Sequence, residues 1–93
     1  MVKIRFLSPI RDILRFPDNE VDLDIRKEVR LTELISLLKR KYGKRFSNLL
    51  CDEEIGDLRH GIIVIVNERV VQRIDEEIKP DDEIVFTLPI GGG

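Results

Sequence analysis

The chain has 93 residues, 42% hydrophobic and 37% charged, with 16 basic and 18 acidic side chains and a formal net charge of −2. That length fits one domain with a modest core. The near-balanced charge gives no reason to expect nucleic acid as a direct partner. No apolar stretch is long enough for a transmembrane helix, and residues 1–5 do not resemble a signal peptide. One cysteine, Cys51, cannot form an internal disulfide, so a cytoplasmic location off the membrane is expected. Many charges with one glutamine, Gln72, and one methionine, Met1, suggest a heat-adapted, thermophile source.

Val2, Ile4 and Phe6 alternate with Lys3 and Arg5, the period of a half-buried strand. Ser8-Pro9 reads as N-cap and first helical position, and Ile10, Ile13 and Leu14 continue at helical spacing for a turn or two. Phe16-Pro17-Asp18-Asn19 reads as a turn. From 20 to 25 the apolar Val21, Leu23 and Ile25 alternate with acids, which predicts a second strand antiparallel to the first. Leu31, Leu34, Ile35, Leu38 and Tyr42 make one helical stripe. Lys39, Arg40 and Lys41 crowd its last turn, where the dipole favours cations, and Gly43 suits the residue after the helix. Arg30 is a poor N-cap.

Residues 46–61 read as irregular, pinned to the core by Leu49, Leu50, Ile55 and Leu58. Within that segment Cys51 has no obvious partner base and reads as a small packed or surface side chain, and His60 as a loop residue. The run 62–66 is apolar without alternation. Asn67-Glu68 reads as a turn, Val70-Val71 as a short strand, Lys79-Pro80-Asp81-Asp82 as a turn, and Ile84 to Leu88 as the last strand. One long helix with several strands gives a two-layer α+β arrangement. The helix can cover only one face of the sheet. Yet 62–66 offers apolar side chains to both faces, and Val85 adds one between Ile84 and Phe86. An apolar patch on the open face is therefore predicted, and such patches tend to be protein interfaces.

Pro89 cannot donate to a ladder, so regular pairing should stop there. The end, Pro89-Ile90-Gly91-Gly92-Gly93, reads as a flexible tail (89–93) on a domain of residues 1–88, with a free carboxylate on a thread lacking side chains. From Leu88 it could reach roughly 20 Å, at about 3.3 Å per residue. Glycine would let it enter a channel too narrow for a Cβ.

The order of elements resembles the β-grasp fold of ubiquitin-like proteins. Val66-Asn67-Glu68, the run Ile78-Lys79-Pro80-Asp81-Asp82-Glu83-Ile84 and the end Leu88-Pro89-Ile90-Gly91-Gly92-Gly93 resemble the small subunit of molybdopterin synthase, the MoaD type. Ile10-Arg11-Asp12-Ile13 is similar to that family's first short helix. Three positions depart from the pattern: Asp81 stands in place of Gly, Leu88 in place of Pro, and Thr87 where an aromatic is common. Asp tolerates a left-handed turn better than most residues, so the turn at Asp81 should survive.

The resemblance implies a mixed four- to five-stranded sheet with one main helix on one face. It implies a sulfur carrier. An adenylyltransferase like the ubiquitin-activating enzymes would use ATP to adenylate the Gly93 carboxylate, and sulfur transfer would give a thiocarboxylate that serves molybdopterin, hence molybdenum cofactor, biosynthesis. No bound cofactor and no metal are implied. Gly91 and Gly92 would form the thread, and Leu7, Val70, Val85, Leu88, Pro89 and Ile90 would face the partner. The large subunit, in a heterotetramer, would hold the catalytic groups, leaving this chain a non-catalytic subunit. Two other classes fit the same residues. One is an archaeal ubiquitin-like modifier that forms isopeptide bonds with target-protein lysines or serves tRNA thiolation. The other is a β-grasp interaction module with an inert tail. A thiamin-type carrier ranks lower, because the middle of this chain is longer.

Overall fold

The computed structural model describes residues 1–7, 10–15 and 20–88. The Ser8-Pro9 cap, the 16–19 turn and the 89–93 tail expected from the sequence lie outside them. Strand β1 (Val2–Phe6) leads to a short helix α1 (Ile10–Leu14), then β2 (Glu20–Leu23), β3 (Val29–Arg30) and the main helix α2 (Leu31–Tyr42). Helix α3 (Lys44–Leu50) follows, with strands β4 (Cys51–Asp52), β5 (Asp57–Leu58), β6 (Ile63–Val66), β7 (Arg69–Val71), β8 (Glu77–Ile78) and β9 (Glu83–Thr87). Five strands make one sheet in the order β2-β1-β9-β6-β7, and β3–β8 and β4–β5 form small separate pairs. The first and last strands of the chain pair in parallel at the centre, with Phe6 opposite Phe86. The other pairs in the sheet are antiparallel. With α2 on one face, this is the α+β β-grasp arrangement.

Alternation sets the core. Val2, Ile4 and Phe6 of β1, Ile84 and Phe86 of β9, and Val64 and Val66 of β6 all point to the helix side and are buried. Leu31, Leu34, Ile35 and Leu38 meet them from α2, and the half-buried Tyr42 packs at the margin. The start of α2 explains how Arg30 can stand at the N-cap. Its own backbone N–H donates to Glu33 Oε1 at 3.3 Å. The N–H groups of Leu31 and Thr32 donate to the carbonyls of Glu76 and Ile74 at 2.8 and 2.9 Å. Backbone from a distant segment thus satisfies the donors that a Ser or Asp cap would serve. At the other end Gly43 takes φ 88° and its N–H reaches Lys39 O at 2.7 Å, a conformation that suits glycine.

Three expectations need correction. Residues 46–61 are not irregular: they continue helix α3 and form the β4–β5 hairpin. Phe46, not named as an anchor, is fully buried and meets Phe6 and Phe86 edge-on at 5.8 and 6.3 Å. Leu50 and Leu58 are buried and Leu49 packs beside the core, but Ile55 is 54% exposed. The hairpin turn, closed by Gly56 N–H to Asp52 O at 2.9 Å, carries Ile55 at its tip. Strand β2 ends at Leu23, so Ile25 is buried from a loop. Finally, Asp81 does not adopt positive φ. The turn closes through Asp82 N–H to Lys79 O at 3.1 Å, with Pro80 at its second position, so no left-handed residue is required. Among the described residues no helix is long and apolar enough to cross a membrane.

Candidate functional site

The face of the sheet away from α2 presents exposed and half-buried side chains among the described residues. Registers place Val85 between Arg5 and Ile65, and Ile65 in turn opposite Val70. One row thus runs Arg5–Val85–Ile65–Val70 across four strands. In the next row Thr87 pairs with Ile63. Leu7 N–H donates to Phe86 O at 3.1 Å, which continues the β1–β9 ladder beyond β1 and brings Leu7 beside Thr87. Val70 is 58% exposed and Leu7 42%, while Ile63, Ile65 and Val85 are half-buried. Such exposure for β-branched and leucine side chains on adjacent strands makes a patch rather than scattered residues.

The other half of this face is polar. Lys3 and Arg5 pair in register with Asp22 and Glu20, and Lys3 Nζ approaches Glu20 Oε1 at 3.8 Å. An apolar centre with a charged margin is the anatomy of a protein interface. At the β7 edge a groove of about 420 Å³ opens among Leu58, His60, Ile63, Val70 and Gln72. It shares Ile63 and Val70 with the patch and extends it round the edge.

The expected partner-facing residues therefore fall into two groups. Leu7, Val70 and Val85 come together on the open face. Leu88 is half-buried and packs against the core, where it roots the chain that leaves β9. Pro89, Ile90, Gly91, Gly92 and Gly93 lie outside the described residues. Ile63 and Ile65 belong to the same patch and were not singled out from the sequence. The signal for them was the lack of alternation in 62–66.

Two turns hold β7 and β9 in place. Asn67 and Glu68 have φ of 48° and 70°, a two-residue turn of the kind that matches strand twist. Asn67 Nδ2 donates to Asp82 Oδ1 at 2.7 Å, and Asn67 Oδ1 accepts from Glu83 N–H at 2.9 Å. Asp82, almost buried, accepts the Lys79 N–H on its other oxygen at 2.8 Å. Its role was not legible from sequence, because its partner Asn67 lies in a different turn.

Cys51 and His60 do not form a site. Burial, with the Asp57 carboxylate nearby, pushes the Cys51 thiol above its ordinary pKa, which favours the neutral thiol over the thiolate. His60 is exposed. Asp57 instead is structural. Its Oδ1 accepts from Leu58 N–H at 2.7 Å and Ile74 N–H at 2.8 Å. These bonds hold its carboxyl below the usual range. Among the described residues no group of three or more His, Cys, Asp and Glu is placed to hold a metal.

Comparison with known proteins adds the following. The model of the ThiS family matches residues 4–93. No curated protein matches the chain. The fold is similar to that of Urm1 from Trypanosoma brucei, at 28% identity and TM-score 0.75, over 99% of this chain and 94% of that one. It is similar to a candidate molybdopterin converting factor, subunit 1, from Pyrococcus furiosus, at 23% identity and TM-score 0.67, over 96% and 97%. It is also similar to small archaeal modifier protein 1 from Haloferax volcanii, at 17% identity and TM-score 0.75, over 99% and 98%. The last two likenesses bear on the fold alone.

Proposed function

Because this chain belongs to the ThiS family, on a match over residues 4–93, we propose that it carries sulfur as a thiocarboxylate on Gly93 and delivers it for molybdopterin biosynthesis. Its fold is that of the ubiquitin-like sulfur carriers and modifiers. The observation that carries the proposal is that the family match continues through the glycines to residue 93 instead of stopping with the folded domain. A carboxylate is a poor electrophile. Attack of a Gly93 carboxylate oxygen on the α-phosphorus of ATP would displace pyrophosphate and give an acyl-adenylate. Hydrosulfide adding to that carbonyl would expel AMP, so that a C–S bond replaces the C–O bond to the leaving group and loss of the sulfur's proton leaves the thiocarboxylate.

In this reading the chain supplies the reacting group, and its partners supply the general acids and bases. The fold's part is positioning. Strand β9 lies at the sheet centre between β1 and β6, and Leu88 is anchored on the core, so the tail has a fixed root. The open face, with Leu7, Ile63, Ile65, Val70 and Val85, would bind the activating enzyme and then the large subunit, with Pro89 and Ile90 leading into the partner's channel. Molybdopterin as the destination rests on the resemblance of residues 66–68, 78–84 and 88–93 to the MoaD type. The same tail also fits a second reading, in which the activated glycine acylates a lysine amine of a target protein. Lysine-linked conjugates in cell extracts would favour that reading, and a large-subunit gene beside this one the first.

Extending the chain by one residue after Gly93 tests both. The carboxylate would move by about 3.3 Å, and about 1 Å of misplacement costs on the order of 100-fold in rate. Adenylate formed per molecule should vanish while denaturant unfolding stays unchanged. Gly92→Ala should also impair activation if the channel admits no Cβ, and Gly91→Ala less so. Full activity in the extended chain, without trimming back to Gly93, would reject carrier and modifier together.

A further inference from the structure

Charge in this chain is unevenly placed. Lys39, Arg40, Lys41, Lys44 and Arg45 put five cations into residues 39–45 of a chain whose net charge is −2. All five are exposed. Elsewhere Lys3, Arg26, Arg69 and Arg73 each sit within 4 Å of a carboxylate, at 3.8, 3.8, 2.6 and 3.3 Å. None of the five pairs with a described carboxylate. Arg45 Nη2 instead donates to the Ile13 carbonyl at 3.4 Å. That bond brings α3 beside α1. Asp12 is the one acid of α1.

The position of this cluster matters more than its size. Tyr42, the last residue of α2, has its ring 6.0 Å from Phe6. Phe46 of α3 lies against both Phe6 and Phe86. Phe6 and Phe86 stand near the carboxy-terminal ends of the parallel strands β1 and β9. The cationic junction of α2 and α3 is therefore at the end of the sheet where the chain leaves β9. Leu7 links it to the apolar face, since its carbonyl accepts the Arg11 N–H at 3.3 Å.

We propose that this cationic margin is a docking surface for an acidic protein surface, flanking the channel by which the activating enzyme receives the tail. The inference rests on the carrier reading for the identity of that enzyme. Helix α1 joins the cluster to the apolar patch, bonded to Arg45 of the cluster through Ile13 and to Leu7 of the patch through Arg11, and cations beside an apolar surface fit a protein better than a polyanion. The net negative charge of the chain would oppose a nucleic acid. Unpaired surface cations act beyond contact, over a Debye length of about 10 Å at 0.1 M salt. Their effect falls on the association rate rather than on the chemical step.

The test is stopped-flow association of the full chain with the adenylating enzyme, from about 0.05 to 0.5 M NaCl. Arg40→Glu, Lys41→Glu and Lys44→Glu together should slow association about tenfold or more at low salt and flatten its salt dependence. Arg26→Glu with Lys27→Glu, at the opposite end of the sheet, should slow it far less. The neutral set Arg40→Gln, Lys41→Gln and Lys44→Gln should show a smaller slowing in the same direction, which covers the case of a reversal that does not fold. Equal rates for folded cluster variants and wild type overturn the proposal, as does a wild-type chain that fails to associate. Cluster-dependent binding of a short RNA duplex, tighter than that of the enzyme, overturns it in favour of a nucleic acid. Adenylate formed at saturating protein is read separately. Cluster-dependent association without adenylation rejects the carrier reading and keeps the docking surface.

Discussion

Replacing Val70 by Asp separates a binding role from a folding role at one position. Val70 is 58% exposed, so in the free protein it contributes little burial. Its loss removes one cross-strand pair with Ile65, a contact of about 0.2–1 kcal/mol. With the part of the side chain already buried, unfolding free energy should fall by no more than about 2 kcal/mol. In a complex the exposed part of the side chain would be covered. Full burial of a valine is worth about 1.5–3 kcal/mol, and the share still exposed here makes that roughly 1–1.7 kcal/mol. A desolvated aspartate without a partner adds its own cost. Binding should therefore weaken by about 1–3 kcal/mol, or roughly 5- to 150-fold in Kd. Calorimetric titration against the activating enzyme and against the large subunit measures it, with denaturant unfolding as the control. Unchanged affinity for both partners would refute the assignment of the open face as an interface.

Two further substitutions probe the frame around that face. Glu68 sits at φ 70° in the β6–β7 turn, where a glycine is preferred. Glu68→Gly should stabilise the fold by about 0.5–1 kcal/mol, seen as a higher denaturant midpoint, and a loss would mean that the side chain has a role of its own. Asp57 has a depressed pKa because its charged form accepts two backbone N–H groups. A group depressed in the folded state contributes stability above its unfolded value, near 4, and loses it as pH falls through the folded value. The difference in unfolding free energy between wild type and Asp57→Ala should thus be largest near neutral pH and shrink below about pH 4. A constant difference from about pH 7 to 3 would show that the carboxylate's charge is not what the two amides bind.

Where the sequence was readable, local periodicity carried the information. The stripe from Leu31 to Tyr42 matches α2 end to end, and the alternation of β1 reappears as its burial pattern. The two-faced run at 62–66 likewise anticipated the open face, since Ile63 and Ile65 lie half-buried opposite Val64 and Val66. What was missed depends on partners far away in the chain. Helix α3 is too short for periodicity to announce it, and it is held by Phe46 against Phe6 and Phe86. The start of α2 is capped by carbonyls of residues 74 and 76, which no local pattern reveals. The Asn67–Asp82 lock joins two turns whose proximity exists only once β6 and β9 pair.

Intact-mass analysis reads the conversion of Gly93 to a thiocarboxylate most directly. The full chain would be incubated with ATP, the activating enzyme and a sulfur donor. Thiocarboxylate formation on Gly93 requires a mass increase equal to exchange of one oxygen for sulfur, confined to the carboxy-terminal peptide and dependent on ATP. A protein whose mass stays unchanged under conditions in which the same enzyme loads another carrier would contradict it.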